Sequence, residues 1–487
     1  MTEKKERSFT SIATILVLGA IAPMLDSTVT NVGINTIMNS LHSSVNTIQW
    51  VTTAYVLALG IMVLFTGWAA DRFSGKTLYI AGLSVFLAGS IISGVAGSVT
   101  VLLVGRIIQG AGAGLIIPLL STLLVRATGG KNLGSTMAMV GLPVVFAPIL
   151  GPTIGGFIID QLNWHWIFYI NIPIVIAALI LIWVMMPTFP ATQKTKRFDW
   201  FSFADLGAIV VLFIVAVIDF SEHTNSTQAS VIWSMVAAIL LLITYVIYAW
   251  KRPTNALVSL SLFKSAHFSG SVVILLMSGI TVNGALFLLP LYLQNIRGLS
   301  VVWSGIYLIA QGVGMLLTRT QVGKLTDQFG ARWIVIISVA ITIASTLPFV
   351  WFGASTSKYL VMAMLFFRGI GQGGLTIPVM SDSFVGLPSN MISQATTATR
   401  MIQNVGSALG TAVLATVISK QMTGVLPTVA HMSSAYHMAF IWSVAFTAVA
   451  IIPAWFLSHH AKAGVSEGAE KQDHSEKTTV TEKPKTV

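Results

Sequence analysis

The chain has 487 residues, 55% of them hydrophobic and 9% charged, with a formal net charge of +11 and a mean hydropathy of +0.83. A soluble domain carries roughly 25% charged residues, so the composition excludes a water-soluble globule and makes the bilayer the main solvent. Lys and Arg lie mostly in short gaps between apolar stretches rather than in one patch, which argues against a nucleic-acid partner, and the absence of cysteine removes disulfides and thiol chemistry.

At about 20 residues per membrane span, fourteen apolar blocks follow one another, near 10–31, 46–69, 77–96, 100–122, 133–158, 166–187, 203–219, 229–249, 267–290, 301–319, 332–352, 358–379, 393–419 and 436–458. An even number of spans puts both termini on one side. The gaps on that side hold most of the basic residues, Arg72, Lys76, Arg126, Lys324 and Arg332 among them, so the positive-inside rule places both termini in the cytoplasm. Residues 1–9 are then a basic cytoplasmic terminus, and 461–487, rich in charge, Ser and Thr, a disordered cytoplasmic tail.

Block one contains Asp26, in Leu25-Asp26-Ser27-Thr28. A carboxylate in a membrane span costs several kcal/mol and normally faces a partner charge or a wet cavity, which makes it a candidate proton or cation site. The protonated acid is far cheaper to bury than the carboxylate, so Asp26 is suited to loading and releasing a proton, although a hydrogen bond to a neighbouring helix is an alternative role. The gap after block two reads Gly67-Trp68-Ala69-Ala70-Asp71-Arg72, with Lys76 beyond it. Asp71 can cap a helix or pair with a base, and Arg72 and Lys76 suit an anionic membrane face. Block four carries Arg106, Gln109 and Gly110. A guanidinium cannot shed its proton, so Arg106 needs an acceptor or water, and either a proton-coupling or a helix-pairing role satisfies it; Gln109 can bond Arg106 or a substrate. Block five holds Pro143, Pro148, Gly151, Pro152, Gly155 and Gly156. Small residues allow close helix approach and prolines remove helical hydrogen bonds, which suggests a tight, pliable seal between two halves, with ordinary helix packing as the other reading.

The chain repeats itself. Gly323-Lys324-Leu325-Thr326-Asp327 follows block ten as Gly67 to Asp71 follows block two, and Arg368 with Gln372-Gly373 in block twelve echoes Arg106 with Gln109-Gly110. Two six-helix halves, 10–187 and 266–460, account for this, with 188–265 carrying two inserted helices. Asp382 reads as a helix cap, and Arg368 and Arg400 as structural cations. Asp219 and Glu222, at the outer end of block seven, and His165 are further titratable groups. Gly110-Ala111-Gly112-Ala113-Gly114 lies within a membrane helix rather than after a strand, there is no Walker A sequence, and metal-ligand spacing is absent, so neither an enzyme nor a cofactor nor a metal is expected.

These motifs resemble those of the major facilitator superfamily, and specifically its fourteen-helix drug:proton antiporter family, over roughly residues 10 to 460. Gly67-x-x-x-Asp71-Arg72 is similar to the superfamily's loop motif. Asp26-x-Thr28-x-x-Asn31 resembles the first-helix motif of the fourteen-helix group, Arg106-x-x-Gln109-Gly110-x-Gly112 the fourth-helix motif, and Gly151-Pro152-Thr153-Ile154-Gly155-Gly156 the fifth-helix signature of exporters. The segment Trp164-His165-Trp166 to Asn171-Ile172-Pro173 resembles the entry to the sixth helix, with His165 where the family usually has Arg, Asn35 where it has Pro, and Ser74 as an extra residue in the first loop. The resemblance implies an all-α major facilitator fold of fourteen membrane helices in the bacterial plasma membrane, acting as a monomer. It implies a proton-driven antiporter that exports hydrophobic, in some cases cationic, drugs or antiseptics by alternating access. Asp26 and Arg106 are expected to couple protons, and Asp26, Gln109 and Asn31 to bind substrate. Asp71, Arg72, Asp327, Pro148, Gly151, Pro152, Gly155 and Gly156 are expected to gate. Export of one physiological metabolite or lipid-like molecule is the alternative, and gradient-driven import a more distant one.

Overall fold

An apolar chain in lipid must satisfy every backbone N–H and C=O internally, and a helix does so within one segment. All regular structure among the described residues is helical. The computed structural model describes residues 9–43, 45–129, 132–141, 151, 154–159, 161–191, 197–222, 228–253, 256–422 and 428–458. The expected cytoplasmic terminus and tail fall largely or wholly outside them, as do Pro143, Pro148, Pro152 and the side chains of Asn31, Asn35, Asp219 and Glu222.

The main helices are α1 (Phe9–Ser40), α2 (Val45–Arg72), α3 (Gly75–Gly94), α4 (Val99–Ala127), α5 (Leu133–Val140), α6 (Asn171–Met185), α7 (Trp200–Glu222), α8 (Gln228–Lys251), α9 (Ala266–Asn295), α10 (Val301–Phe329), α11 (Arg332–Thr346), α12 (Lys358–Asp382), α13 (Ile392–Met422) and α14 (Val429–Val449). Eleven helices among the described residues are long and apolar enough to cross a membrane. The three remaining expected spans all include positions outside the described residues. Block five is described only in parts, and α7 and α10 each include residues whose side chains lie outside the described ones.

Local sequence sets the ends. Ser98, Ser265 and Ser300 each accept a backbone N–H at the start of α4, α9 and α10, supplying one of the bonds that a helix N-terminus lacks. Gly330, at φ 80°, terminates α10 in a backbone region closed to most side chains. Lys76 donates its ammonium to the carbonyls of Trp183 (2.8 Å) and Met186 (2.9 Å), so it caps the C-terminal end of α6 rather than simply facing a lipid surface.

Packing repeats as the sequence does. In the first half α4 lies along both α2 and α3, and in the second half α12 lies along both α10 and α11. Gly110 and Gly112 make the first arrangement possible: a Cβ at Gly110 would meet the Tyr55 carbonyl of α2, and one at Gly112 the backbone of Phe86 in α3. Gly369 against Gln311 and Gly371 against Ser338 and Thr342 do the same in the second half. The inserted α7 packs on α8 and touches α2 and α13, one helix from each half. α8 is mostly uncovered, with Trp233, Leu240 and Trp250 exposed. An apolar exposed face of this kind suits hydrocarbon.

Candidate functional site

Asp26 lies on α1 at 1% exposure and gathers side chains from two other helices. Pro23, one turn earlier, cannot donate to the helix. Its own carbonyl accepts the hydroxyl of Tyr55 at 2.9 Å, tying α1 to α2. The Asp26 carboxylate forms an ion pair with Arg106 of α4 through Oδ2. At Oδ1 it accepts Gln109 Nε2 (3.2 Å) and Asn171 Nδ2 of α6 (2.9 Å). Arg106 also donates through Nε to the Val51 carbonyl (3.1 Å) and through Nη1 to Gln109 Oε1 (3.1 Å), and it sits 4.2 Å from the Tyr55 ring centre. Its Nη2 has no partner. Gln109 is in turn held by Ser90 (2.9 Å) and Ser93 (3.1 Å) of α3. Arg106, Gln109 and Asn171 are all buried. The result is a desolvated charge pair in which one proton on Asp26 would remove the counter-charge of Arg106.

The repeated loop motif has a spatial meaning. Residues four apart share a helix face, so Gly67 and Asp71 of α2 both face α13, and Gly323 and Asp327 of α10 both face α5. A Cβ at Gly67 would run into Thr397, and one at Gly323 would run into the carbonyl of Gly134. These absent side chains let the carboxylates reach across. Asp71 is fully buried, accepts the Ser393 hydroxyl of α13, and pairs with Arg126 Nη2 at 3.0 Å. Asp327 accepts the backbone N–H of Gly134 (2.7 Å) and of Ser135 (3.0 Å), and the Ser135 hydroxyl (2.7 Å), at the positive end of α5. Each carboxylate thus joins one half to the first turn of a helix in the other. Arg72 is exposed.

Between the halves lies a cavity of about 360 Å³, lined by α1, α2, α4 and α5 on one side and α9, α10, α12 and α13 on the other. Its wall is mostly aliphatic, with Met24, Leu59, Met137, Leu308 and Met315, and its polar groups come chiefly from Gln311, Gln372, Gln403, Asn404, Arg319 and Arg400. Ser27 and Thr28 reach it from the residues that follow Asp26, while Asp26 itself stays behind the wall. All the hydrogen bonds given above between α2 or α5 and the second half, with Arg319 Nε to the Ala138 carbonyl (3.0 Å) and Arg400 Nη2 to Ser121 Oγ (2.9 Å), lie on the Asp71 and Asp327 side.

The sequence-selected residues separate accordingly. Asp26, Arg106 and Gln109 come together; the Asn31 side chain lies outside the described residues. Gly151 and Gly155 pack on Thr28 and Val29 of α1, within their own half, and Gly156 faces open space. Here Gly151 and Gly155 of block five meet α1 of their own half: helix spacing reveals a small-residue face but not which helix will meet it. Among the described residues of block five, α5 packs across the halves against α10 and α12. His165 stacks on Trp164, and Asp382, at the C-terminal end of α12, accepts Ser458 N (3.1 Å) and pairs with His267 Nδ1 (3.3 Å) instead of capping a helix start. Sequence reasoning missed two members. Asn171 stands in the sixth-helix entry motif with no charge to single it out, and Arg319 falls by hydropathy at the end of an apolar block. The Gly323 to Asp327 motif lies within α10, which runs to Phe329, and so signals that Arg319 is nearly three turns inside the helix.

The Major Facilitator Superfamily model matches residues 16–411. The chain belongs to that family. It is a multi-pass cell-membrane transporter, and the family's members are transporters rather than enzymes. The Multidrug resistance protein B homolog of Mycobacterium tuberculosis (strain ATCC 25618 / H37Rv) is 28% identical over 84% of this chain and 76% of its own. The Lincomycin resistance protein LmrB of Listeria monocytogenes is 27% identical over 93% of this chain and 98% of its own. Among solved structures, the human organic anion transporter MFSD10 (TETRAN) superposes with a TM-score of 0.62 at 14% identity, covering 91% of this chain and all of that one. The proton:xylose symporter XylE gives 0.59 at 14% identity, with 91% and 96% covered. At such identities the two structures speak to the fold alone.

Proposed function

We propose that the transporter is a proton-driven antiporter that exports hydrophobic molecules from the cytoplasm by alternating access, through fourteen membrane helices with both termini cytoplasmic. The observation that carries this reading is the buried Asp26–Arg106 pair directly behind the cavity wall. Asp26 is bonded to α4 and α6, while Ser27 and Thr28 on the same turn of α1 face the cavity. A proton taken by Asp26 breaks its ion pair and loosens α1 from α4, so loading of the acid and the shape of the cavity wall change together. Asp71 and Asp327 hold one end shut and must release in the opposite state. Arg72, Lys76, Arg126, Lys324 and Arg332 lie near that end of the helices, which supports reading it as the cytoplasmic one. Inward movement of one proton yields about 2.3 kcal/mol per 100 mV of membrane potential. The described cavity wall has no carboxylate for a cationic cargo, so the proposal concerns hydrophobic cargo without a required positive charge.

Inverted membrane vesicles with an acidic lumen test it. Adding a transported compound outside should alkalinise the lumen as the compound accumulates there, and Asp26→Asn should abolish both signals. Gradient-driven accumulation at the wild-type rate in Asp26→Asn vesicles would place the proton site elsewhere.

A further inference from the structure

Arg319 and Arg400 stand on the cavity wall at 3% and 9% exposure, and neither has an acidic partner among the described residues. The arginine–carboxylate ion pairs among the described residues are Asp26–Arg106 and Asp71–Arg126, His267 hydrogen-bonds Asp382, and no described Asp or Glu lines the cavity. The two guanidinium groups line the same cavity. Two buried like charges that cannot shed their protons are costly, by several kcal/mol per ion without compensation.

Holding the halves together does not account for them. That role uses one donor from each: Arg319 Nε on the Ala138 carbonyl and Arg400 Nη2 on Ser121. Buried N–H groups remain over, Nη1 of Arg319 and Nε of Arg400, with no partner. The place of Arg319 is built. Its guanidinium fills the space that a Cβ on residue 141 would occupy, so only glycine there admits it.

We propose that the cavity binds amphipathic organic anions, a carboxylate or sulfonate on an apolar body, with the anionic group held by Arg319 and Arg400. This rests on the cavity being the cargo site of the exporter. An anion supplies the missing counter-charge and takes the idle donors, and guanidinium geometry matches a carboxylate or sulfonate with paired hydrogen bonds. Leu308 and Met315 offer the apolar body a yielding surface, and Gln403 a neutral polar contact. A volume of about 360 Å³ suits a compact drug-sized molecule.

The test uses a matched pair of fluorescent probes on the full-length protein in nanodiscs of zwitterionic lipid. 1-Anilinonaphthalene-8-sulfonate and N-phenyl-1-naphthylamine share one ring system and differ by the sulfonate. Wild type should bind the sulfonate at least about tenfold more tightly, as one charge-assisted hydrogen bond would give. Arg319→Gln and Arg400→Gln should each remove that preference while leaving the neutral probe bound, and the corresponding lysine variants should keep most of it. Equal wild-type affinity for the two probes, or displacement of the sulfonate by ethidium, would overturn the proposal without any variant. Unchanged sulfonate affinity in folded glutamine variants would overturn it too. Loss of sulfonate binding on adding phosphatidylglycerol to the disc assigns the site to a lipid anion, and retention assigns it to a soluble one. In proteoliposomes the two levels separate. If the sulfonate binds but a proton gradient does not move it, the export reading fails and the anion site stands; if the gradient moves only neutral or cationic dyes, the anion proposal fails and the exporter stands.

Discussion

Removing the Asp26 carboxylate alone should destabilise the protein, and removing Arg106 with it should restore much of the loss without restoring transport. In wild type both side chains are fully sequestered, and the carboxylate takes donors from Arg106, Gln109 and Asn171. Asp26→Asn leaves a buried guanidinium whose remaining acceptors are the Val51 carbonyl and Gln109 Oε1, with Nη2 already idle. Breaking a buried ion pair by removing one partner costs roughly 3–5 kcal/mol. The amide oxygen of the variant can still accept one hydrogen bond, worth about 1 kcal/mol, so a net loss of about 2–4 kcal/mol is expected. The Tyr55 ring stays over Arg106 in either case and cancels. In Asp26→Asn/Arg106→Gln no charge is stranded, and the coupling energy of the cycle should be at least about 2 kcal/mol. Unfolding by SDS titration in mixed micelles gives the four free energies, and vesicle accumulation of a transported dye gives activity. A coupling below about 0.5 kcal/mol, the level of non-interacting sites, would refute the claim that the pair carries the stability of this cluster. Wild-type gradient-driven export by the double variant would refute the claim that it carries the proton.

Two further outcomes follow from the same geometry. Asp327→Asn loses the negative charge at the start of α5 and one of its acceptor oxygens; a change of about 1.4 kcal/mol, tenfold in population, toward states open at that end should appear as longer spin-label distances between cysteines placed at Arg72 and Lys324 in the naturally cysteine-free chain. Gly141→Ala puts a methyl group where the Arg319 guanidinium lies, so it should cost about 1–3 kcal/mol by overpacking, and Arg319→Gln in the same chain should recover much of that cost; unchanged SDS unfolding of Gly141→Ala would show that Arg319 does not need the slot.

The legible part of the site was the part written in helical spacing. Gly67 with Asp71, and Gly323 with Asp327, are four apart, so each pair shares a face whatever the fold. Arg106 and Gln109 likewise share a face three residues apart, and an acid inside the first apolar block announced its own cost. Hydropathy alone determined that the chain lives in a membrane, and the duplicated motifs that it has two similar halves. Tertiary structure decided which helix each face meets. It brought Asn171 to Asp26 from 145 residues away, and Ser393 to Asp71 from 322 residues away. It turned the Gly151 and Gly155 face toward α1 and opened at Gly141 the slot that holds Arg319 on the cavity wall. A helical period fixes the direction of a side chain about its own axis, but the identity of its neighbour depends on how the helices are arranged, and no local pattern encodes that.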